Sequence, residues 1–134
     1  MKKLQNKSVL IIDDDPGMLR ALDKVLTGAG ADVTCAAWAG DAIETLTARR
    51  NRVDLVITDL RMPILTGLTV VYAIHEIFPA LPVIVLTAFG SADVKSECLR
   101  QGAVAFLEKP LDTPQLLAAI EGVFDLKKGA TGKT

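Results

Sequence analysis

Four short apolar runs in this chain lead into polar side chains whose chemistries complement one another. Val9–Ile12 is followed by Asp13, Asp14 and Asp15. Val53–Ile57 is followed by Thr58 and Asp59, Val83–Leu86 by Thr87 and Ala88, and Val104–Leu107 by Glu108, Lys109 and Pro110. Taken singly, such residues are ordinary: aspartates after a strand cap turns, a lone lysine is solvated, and a threonine satisfies its hydroxyl on backbone. Taken together, at the same place in successive units, they describe one site. Carboxylates from Asp13, Asp14 and Asp59 brought close together repel one another. A divalent cation relieves that repulsion, and an oxygen-only donor set suits Mg²⁺, with Mn²⁺ as the expected substitute. The absence of histidine or cysteine near these positions argues against zinc. Lys109 adds a mobile positive point charge, and Thr87 adds a hydroxyl. A carboxylate beside such groups is equipped to attack phosphorus in line and to carry the phosphoryl group as an acyl phosphate.

The elements that must position these residues are legible from periodicity. The four runs are nearly continuous in Val, Ile and Leu, the pattern of parallel strands buried on both faces. A fifth, Asp32–Ala36, alternates more and suits an edge strand. Between them lie helical faces: Met18, Leu22, Val25 and Leu26; Ala42, Ile43 and Leu46; Val71, Ile74 and Phe78; Leu116, Leu117, Ile120 and Phe124. Asp15-Pro16 and Thr113-Pro114 read as caps followed by a first-turn proline. Gly28, Gly30 and Gly102 mark helix ends, and Pro79 closes another. The segment 92–101 has only Val94, Cys98 and Leu99 as substantial apolar anchors, which predicts a weakly held helix. Strand–helix alternation predicts an α/β fold, a doubly wound five-stranded parallel sheet with five helices. In such sheets ligands bind beyond the carboxyl ends of the strands, where the polar groups fall.

The composition sets limits. The chain has 134 residues, 50% of them apolar and 23% charged, and a formal net charge of −1, which suits one domain with a real core. No basic stripe exists to hold nucleic acid directly. No apolar run approaches the roughly 18 residues of a membrane span, and Val9–Ile12 is too short for a signal sequence, so a cytoplasmic protein is expected. Cys35 and Cys98 fit neither a metal site nor a disulfide framework and read as buried or half-buried apolar fillers. His75 reads as a surface residue. Residues 1–7 read as an N-terminal extension, 8–126 as the folded domain, and 127–134 as a disordered tail, linker stub or tag remnant. The stretch Gly129–Thr134 hints at a phosphate loop, but its spacing is too short.

With these motifs in order, the chain resembles the response-regulator receiver domains of two-component signalling, the CheY-like superfamily. The resemblance is carried by Val9-Leu10-Ile11-Ile12-Asp13-Asp14-Asp15-Pro16, by Asp54–Pro63 with Gly67, by Val83–Ala88, and by Phe106-Leu107-Glu108-Lys109-Pro110. It runs from about Ser8 to Leu126, and the stretches Asp59–Pro63 and Thr87–Gly90 are most similar to receivers of enhancer-binding transcription regulators. It implies a flavodoxin-like strand order of 2-1-3-4-5 and a signalling domain rather than a turnover enzyme. It implies Asp59 as phosphoacceptor, with Mg²⁺ held by Asp13, Asp14, Asp59 and the backbone carbonyl of Arg61. Lys109 would pair with the phosphoryl group, with a cis bond to Pro110, and Thr87 and Phe106 would be the switch pair. Arg61, Ala88 and Phe89 occupy positions expected to tune phosphoryl lifetime. The implied partners are a sensor histidine kinase or phosphotransfer protein and a downstream output domain or protein. A homodimer through the fourth helix, fifth strand and fifth helix is a further candidate.

Two other chemistries share parts of the pattern. A haloacid-dehalogenase-like phosphatase would use Asp13 and Asp15, but the chain is short of a substrate-covering cap. A flavodoxin-like electron carrier needs a hydroxyl- and glycine-rich phosphate loop where this chain has three aspartates. A degenerate receiver acting only as a docking module conflicts with the complete set of site residues.

Overall fold

The structure is a computed structural model that describes residues 2–49, 52–60, 64–88 and 90–132. Its elements run β1 (Ser8–Ile12), α1 (Pro16–Gly28), β2 (Asp32–Ala36), α2 (Ala39–Ala48), β3 (Leu55–Thr58), α3 (Ile64–Ile77), β4 (Val83–Thr87), α4 (Ala92–Arg100), β5 (Ala105–Glu108) and α5 (Thr113–Gly132). The strands form one parallel sheet in the order β2-β1-β3-β4-β5.

Because successive side chains on a strand point to opposite faces, each central strand feeds two cores. Leu10, Ile12, Val56, Val83 and Val85 join Ala42 and Leu46 of α2, Val71 and Ile74 of α3, and Cys98 of α4. Val9, Ile11, Leu55, Ile57, Ile84 and Leu86 join Leu22 and Leu26 of α1 and Leu116 and Ile120 of α5. Two helices therefore cover one face and three the other, and this double burial is why the strands read as unbroken apolar runs. As expected, β2 lies at an edge, and α4 buries only Cys98.

Several boundaries differ from the sequence reading. Val53 and Val104 precede their strands rather than open them. Asp54 Oδ2 takes the Ser8 N–H and the Asp54 N–H donates to Ser8 O, both at 2.8 Å, so side chain and backbone together join the β3 entry to β1. The cap of α5 is Asp112, not Thr113: its Oδ1 accepts from the Gln115 N–H at 2.9 Å. That bond places Thr113 and Pro114 inside the first turn, where a missing proline N–H costs nothing. Cys35 is exposed rather than buried, because the outer edge strand has no neighbour to cover it. Residues 2–7 are part of the packed body. Leu4 is fully buried, and its N–H donates to Ala29 O at 2.8 Å. Asn6 turns the chain with φ 67°, a left-handed conformation that asparagine tolerates. At the other end α5 continues to Gly132, beyond the expected limit of Leu126. Helical hydrogen bonds are local, so a helix can run on past its last core contact.

Candidate functional site

The site forms where β1, β3, β4 and β5 end together. Parallel register sets Ile12 opposite Ala36 and Thr58, and Thr87 opposite Glu108. The chain leaving β1 stays tied to the sheet, since the Asp13 N–H donates to Ala36 O at 3.0 Å and the Asp59 N–H to Ile12 O at 3.0 Å. Asp13 and Asp59 are thus delivered side by side from adjacent strands. Their side chains are only 3% and 4% exposed. Asp14, the next residue, is exposed, yet carboxylate oxygens of Asp13, Asp14 and Asp59 all lie within 4.8 Å of one another.

Lys109 reaches this cluster from the end of β5. Its Nζ lies 3.0 Å from Asp13 Oδ2 and 3.4 Å from Asp59 Oδ2, with 13% of the side chain exposed. Its backbone is anchored by donation to Thr87 O at 2.8 Å, and the Lys109–Pro110 peptide bond is cis. Thr87 is fully buried at the end of β4, and Ala88 beyond it is exposed. Phe106 is half-buried, paired in register with Val85 and packed on the core shared with α3 and α4. Arg61 and Phe89 lie outside the described residues.

Asp15 stands apart from the cluster. Its Oδ1 accepts from the Gly17 N–H at 2.9 Å and caps α1, while its own N–H donates to Asp13 Oδ1 at 2.9 Å. That commitment to backbone counts against the phosphatase alternative, which needs Asp15 as an acid.

The charge balance shows what the cluster lacks. Three carboxylates face one ammonium, an excess of two formal negative charges among these four side chains. Asp59 Oδ1 is buried without a hydrogen-bond partner among the described residues. Buried polar atoms are rarely left so, and a bound cation is one standard reason. Hard oxygen donors, excess negative charge and an orphaned carboxylate oxygen fit Mg²⁺.

One exposed side chain on this edge escaped the sequence reading. Trp38 follows β2 and is 63% exposed. It follows β2, an edge strand, and so lies outside the polar groups that the central strands deliver. The signal available was the sole tryptophan lying two residues beyond a strand end.

The comparisons with known proteins agree with this geometry. Residues 9–121 match the family described as response regulator receiver domain. The chain is 38% identical over 123 residues to transcriptional regulatory protein GlrR of Escherichia coli, covering 92% of this chain and 27% of that protein. It is 33% identical over 118 residues to DNA-binding transcriptional regulator NtrC of Proteus hauseri, covering 88% and 24% respectively. The chain thus spans about a quarter of the length of these relatives. Among solved structures it resembles a response regulator receiver domain protein from Clostridium thermocellum, with TM-score 0.83, 32% identity, and 91% and 97% of the two chains covered. It also resembles a chain in the CheX–CheY–BeF3–Mg complex from Borrelia burgdorferi, with TM-score 0.83, 30% identity and 88% and 89% covered. Among the described residues no helix is long and apolar enough to cross a membrane. Sequence, strand order and the acidic edge converge: this chain belongs to the response-regulator receiver domain family of two-component systems.

Proposed function

We propose that the domain accepts a phosphoryl group on Asp59 from a histidine kinase or phosphotransfer protein in a Mg²⁺-dependent reaction. The observation that carries this reading is the state of Asp59: a buried carboxylate with Lys109 on one oxygen and, among the described residues, no hydrogen-bond partner on the other. A carboxylate oxygen of Asp59 forms the new P–O bond as the P–N bond of the donor's phosphohistidine breaks, and the imidazole keeps the electron pair. Lys109, already between Asp13 and Asp59, pairs with the phosphoryl oxygens and offsets their charge. Asp13, Asp14, Asp59 and the Arg61 carbonyl are the proposed metal ligands. Mg²⁺ held there supplies the positive charge that a transferring phosphoryl group requires. The domain promotes its own phosphorylation and dephosphorylation and turns over no separate substrate. Arg61, Ala88 and Phe89 set how long the acyl phosphate survives.

The same residues supply the switch. Phosphorylation brings negative charge and three acceptor oxygens. Thr87 and Lys109 satisfy those oxygens by moving, and their backbones are joined by a hydrogen bond, so the ends of β4 and β5 move together. Phe106 fills the space that Thr87 leaves. The face of α4, β5 and α5, where α4 is the weakly anchored element, then presents the change to an output domain, a partner or a second copy. Inverting a 1:99 population takes about 5.5 kcal/mol. A charge-assisted hydrogen bond supplies about 1.5–3 kcal/mol, so two such bonds with repacking suffice.

Intact mass after incubation with acetyl phosphate tests the acceptor. A single phosphoryl adduct is expected, lost without Mg²⁺ and lost in Asp59→Asn. A folded protein that gains no adduct would overturn the reading.

A further inference from the structure

Trp38 has no evident structural reason to be a tryptophan. It occupies the N-cap position of α2, with φ −152° and ψ 169°, and its side chain makes no cap hydrogen bond. Indole carries a donor and no acceptor, whereas serine, threonine, aspartate or asparagine there would satisfy a first-turn N–H. The ring also packs little, being 63% exposed. The position therefore forgoes a cap and leaves a large apolar surface in water, two departures from what folding alone favours.

Its place on the molecule is specific. Ile12 lies opposite Ala36, so Trp38 stands two residues past the same sheet edge as Asp14. Asp14 and Asp41, in the first turn of α2, are both exposed. The rim of the site on this side carries an exposed aromatic ring and the exposed carboxylates of Asp14 and Asp41. Trp38 follows β2 and Asp59 follows β3, two strands away in the sheet, or about 10 Å at ordinary strand spacing. The Asp59 side chain is 4% exposed, so a protein donor must press closely on this edge to bring phosphorus to it. A stable protein contact covers about 800 Å² on each partner, a patch reaching roughly 16 Å from its centre. Any such footprint centred on Asp59 includes the β2–α2 turn, whereas a small phosphodonor need not touch it.

We propose that Trp38 is the docking anchor for the protein phosphodonor, and that it grips a lysine or arginine beside the donor's phosphohistidine. Tryptophan is the best cation–π face and is enriched among residues that dominate interface energies. Asp41, exposed in the first turn of α2, gives the rim the sign that attracts a basic partner surface. This inference rests on the phosphoacceptor reading above.

The test compares two donors on wild type, Trp38→Ala and Trp38→Phe. One donor is acetyl phosphate. The other is a histidine phosphotransfer domain charged with phosphoramidate and shown to transfer to the wild-type chain. The expected result is an acetyl phosphate rate unchanged within about twofold, with transfer from the protein donor slowed about tenfold or more in Trp38→Ala. Trp38→Phe should recover most of that rate, because phenylalanine also offers a π face. Equal losses with both donors would overturn the proposal, since Trp38 would then act on the site or the fold. No loss with either donor would overturn it too. Failure of wild type to gain any adduct from acetyl phosphate would instead remove the phosphoacceptor reading and this inference with it.

Discussion

Lys109 is held between two carboxylates that are almost wholly buried, so its removal has consequences beyond chemistry. Breaking a buried ion pair on one side costs about 3–5 kcal/mol because the remaining charge has no compensation. Lys109→Met is expected to lose about 3 kcal/mol of stability in Mg²⁺-free buffer, measured by urea unfolding. Asp13→Asn in the same background should restore part of it by removing one carboxylate. An unchanged midpoint in Lys109→Met would show that the lysine is not balancing the cluster. Wild type should gain stability with added Mg²⁺, about 2.7 kcal/mol at one hundred times the dissociation constant, and Asp13→Asn should gain much less. The residues of this site were legible because each is the polar terminus of an apolar run, a pattern that needs no three-dimensional information. Trp38 was not, since nothing in its neighbours Ala37 and Ala39 distinguishes a rim residue from a core one. Trp38→Ser is expected to stabilise the protein by about 1 kcal/mol through the cap it introduces, read as a raised melting temperature. A fall in melting temperature would mean the indole supports the fold.

At the scale of elements, α4 is the helix with the fewest buried side chains among the described residues. Its only buried side chain is Cys98, whose thiol is pushed up from its ordinary pKa by burial first and by neighbouring Glu97 second. A raised thiol pKa means less thiolate at neutral pH, so alkylation of Cys98 should be slow and should accelerate as pH rises. Because attack also requires α4 to lift, the rate at fixed pH reports its opening. Phosphorylation of Asp59 should change the Cys98 rate more than that of exposed Cys35, measured by mass after iodoacetamide, and equal changes at both cysteines would contradict a switch through α4. The turn after α4 carries a second constraint. Gly102 has φ 116°, and a Cβ there would lie 2.6 Å from His75 Cγ on α3. Gly102→Ala should cost more than about 1 kcal/mol, from strain and collision together, and His75→Ala should relieve only the part of the collision made by the imidazole ring, since His75 Cβ lies 2.9 Å away and remains. A double-mutant cycle on melting midpoints separates the two, and purely additive effects would show no collision. Gly102 was identified from the sequence as a helix end. The histidine against it was not, because contact between α3 and the α4–β5 turn belongs to tertiary structure.

For the whole molecule, the sheet order and the two cores follow from the doubly buried strands and from short connections that leave few topologies available. The ends were less legible. Leu4 is a single apolar residue among Lys2, Lys3, Gln5, Asn6 and Lys7, so it has no periodicity to announce it. Yet it is fully buried with Leu26 and Ala31. Lys3 pairs with Glu121 at 3.4 Å, and Lys7 sits 4.8 Å from the Phe124 ring centroid, so the segment lies across α5 as well. Exposed contacts of that kind contribute little, and the burial of Leu4 should dominate. Leu4→Ala is expected to cost about 2–5 kcal/mol, whereas Lys3→Ala should cost under about 1 kcal/mol. Equal, small effects in urea unfolding would return residues 2–7 to the status of an extension.

The most direct test of the account is to locate the phosphoryl group within the chain. After acetyl phosphate and Mg²⁺, borohydride reduction of the acyl phosphate followed by peptide mass mapping marks the residue that carried it. The mark should fall on Asp59 alone, with Asp13 and Asp14 unmodified. A mark on Asp13 or Asp14, or an adduct that persists in Asp59→Asn, would contradict it.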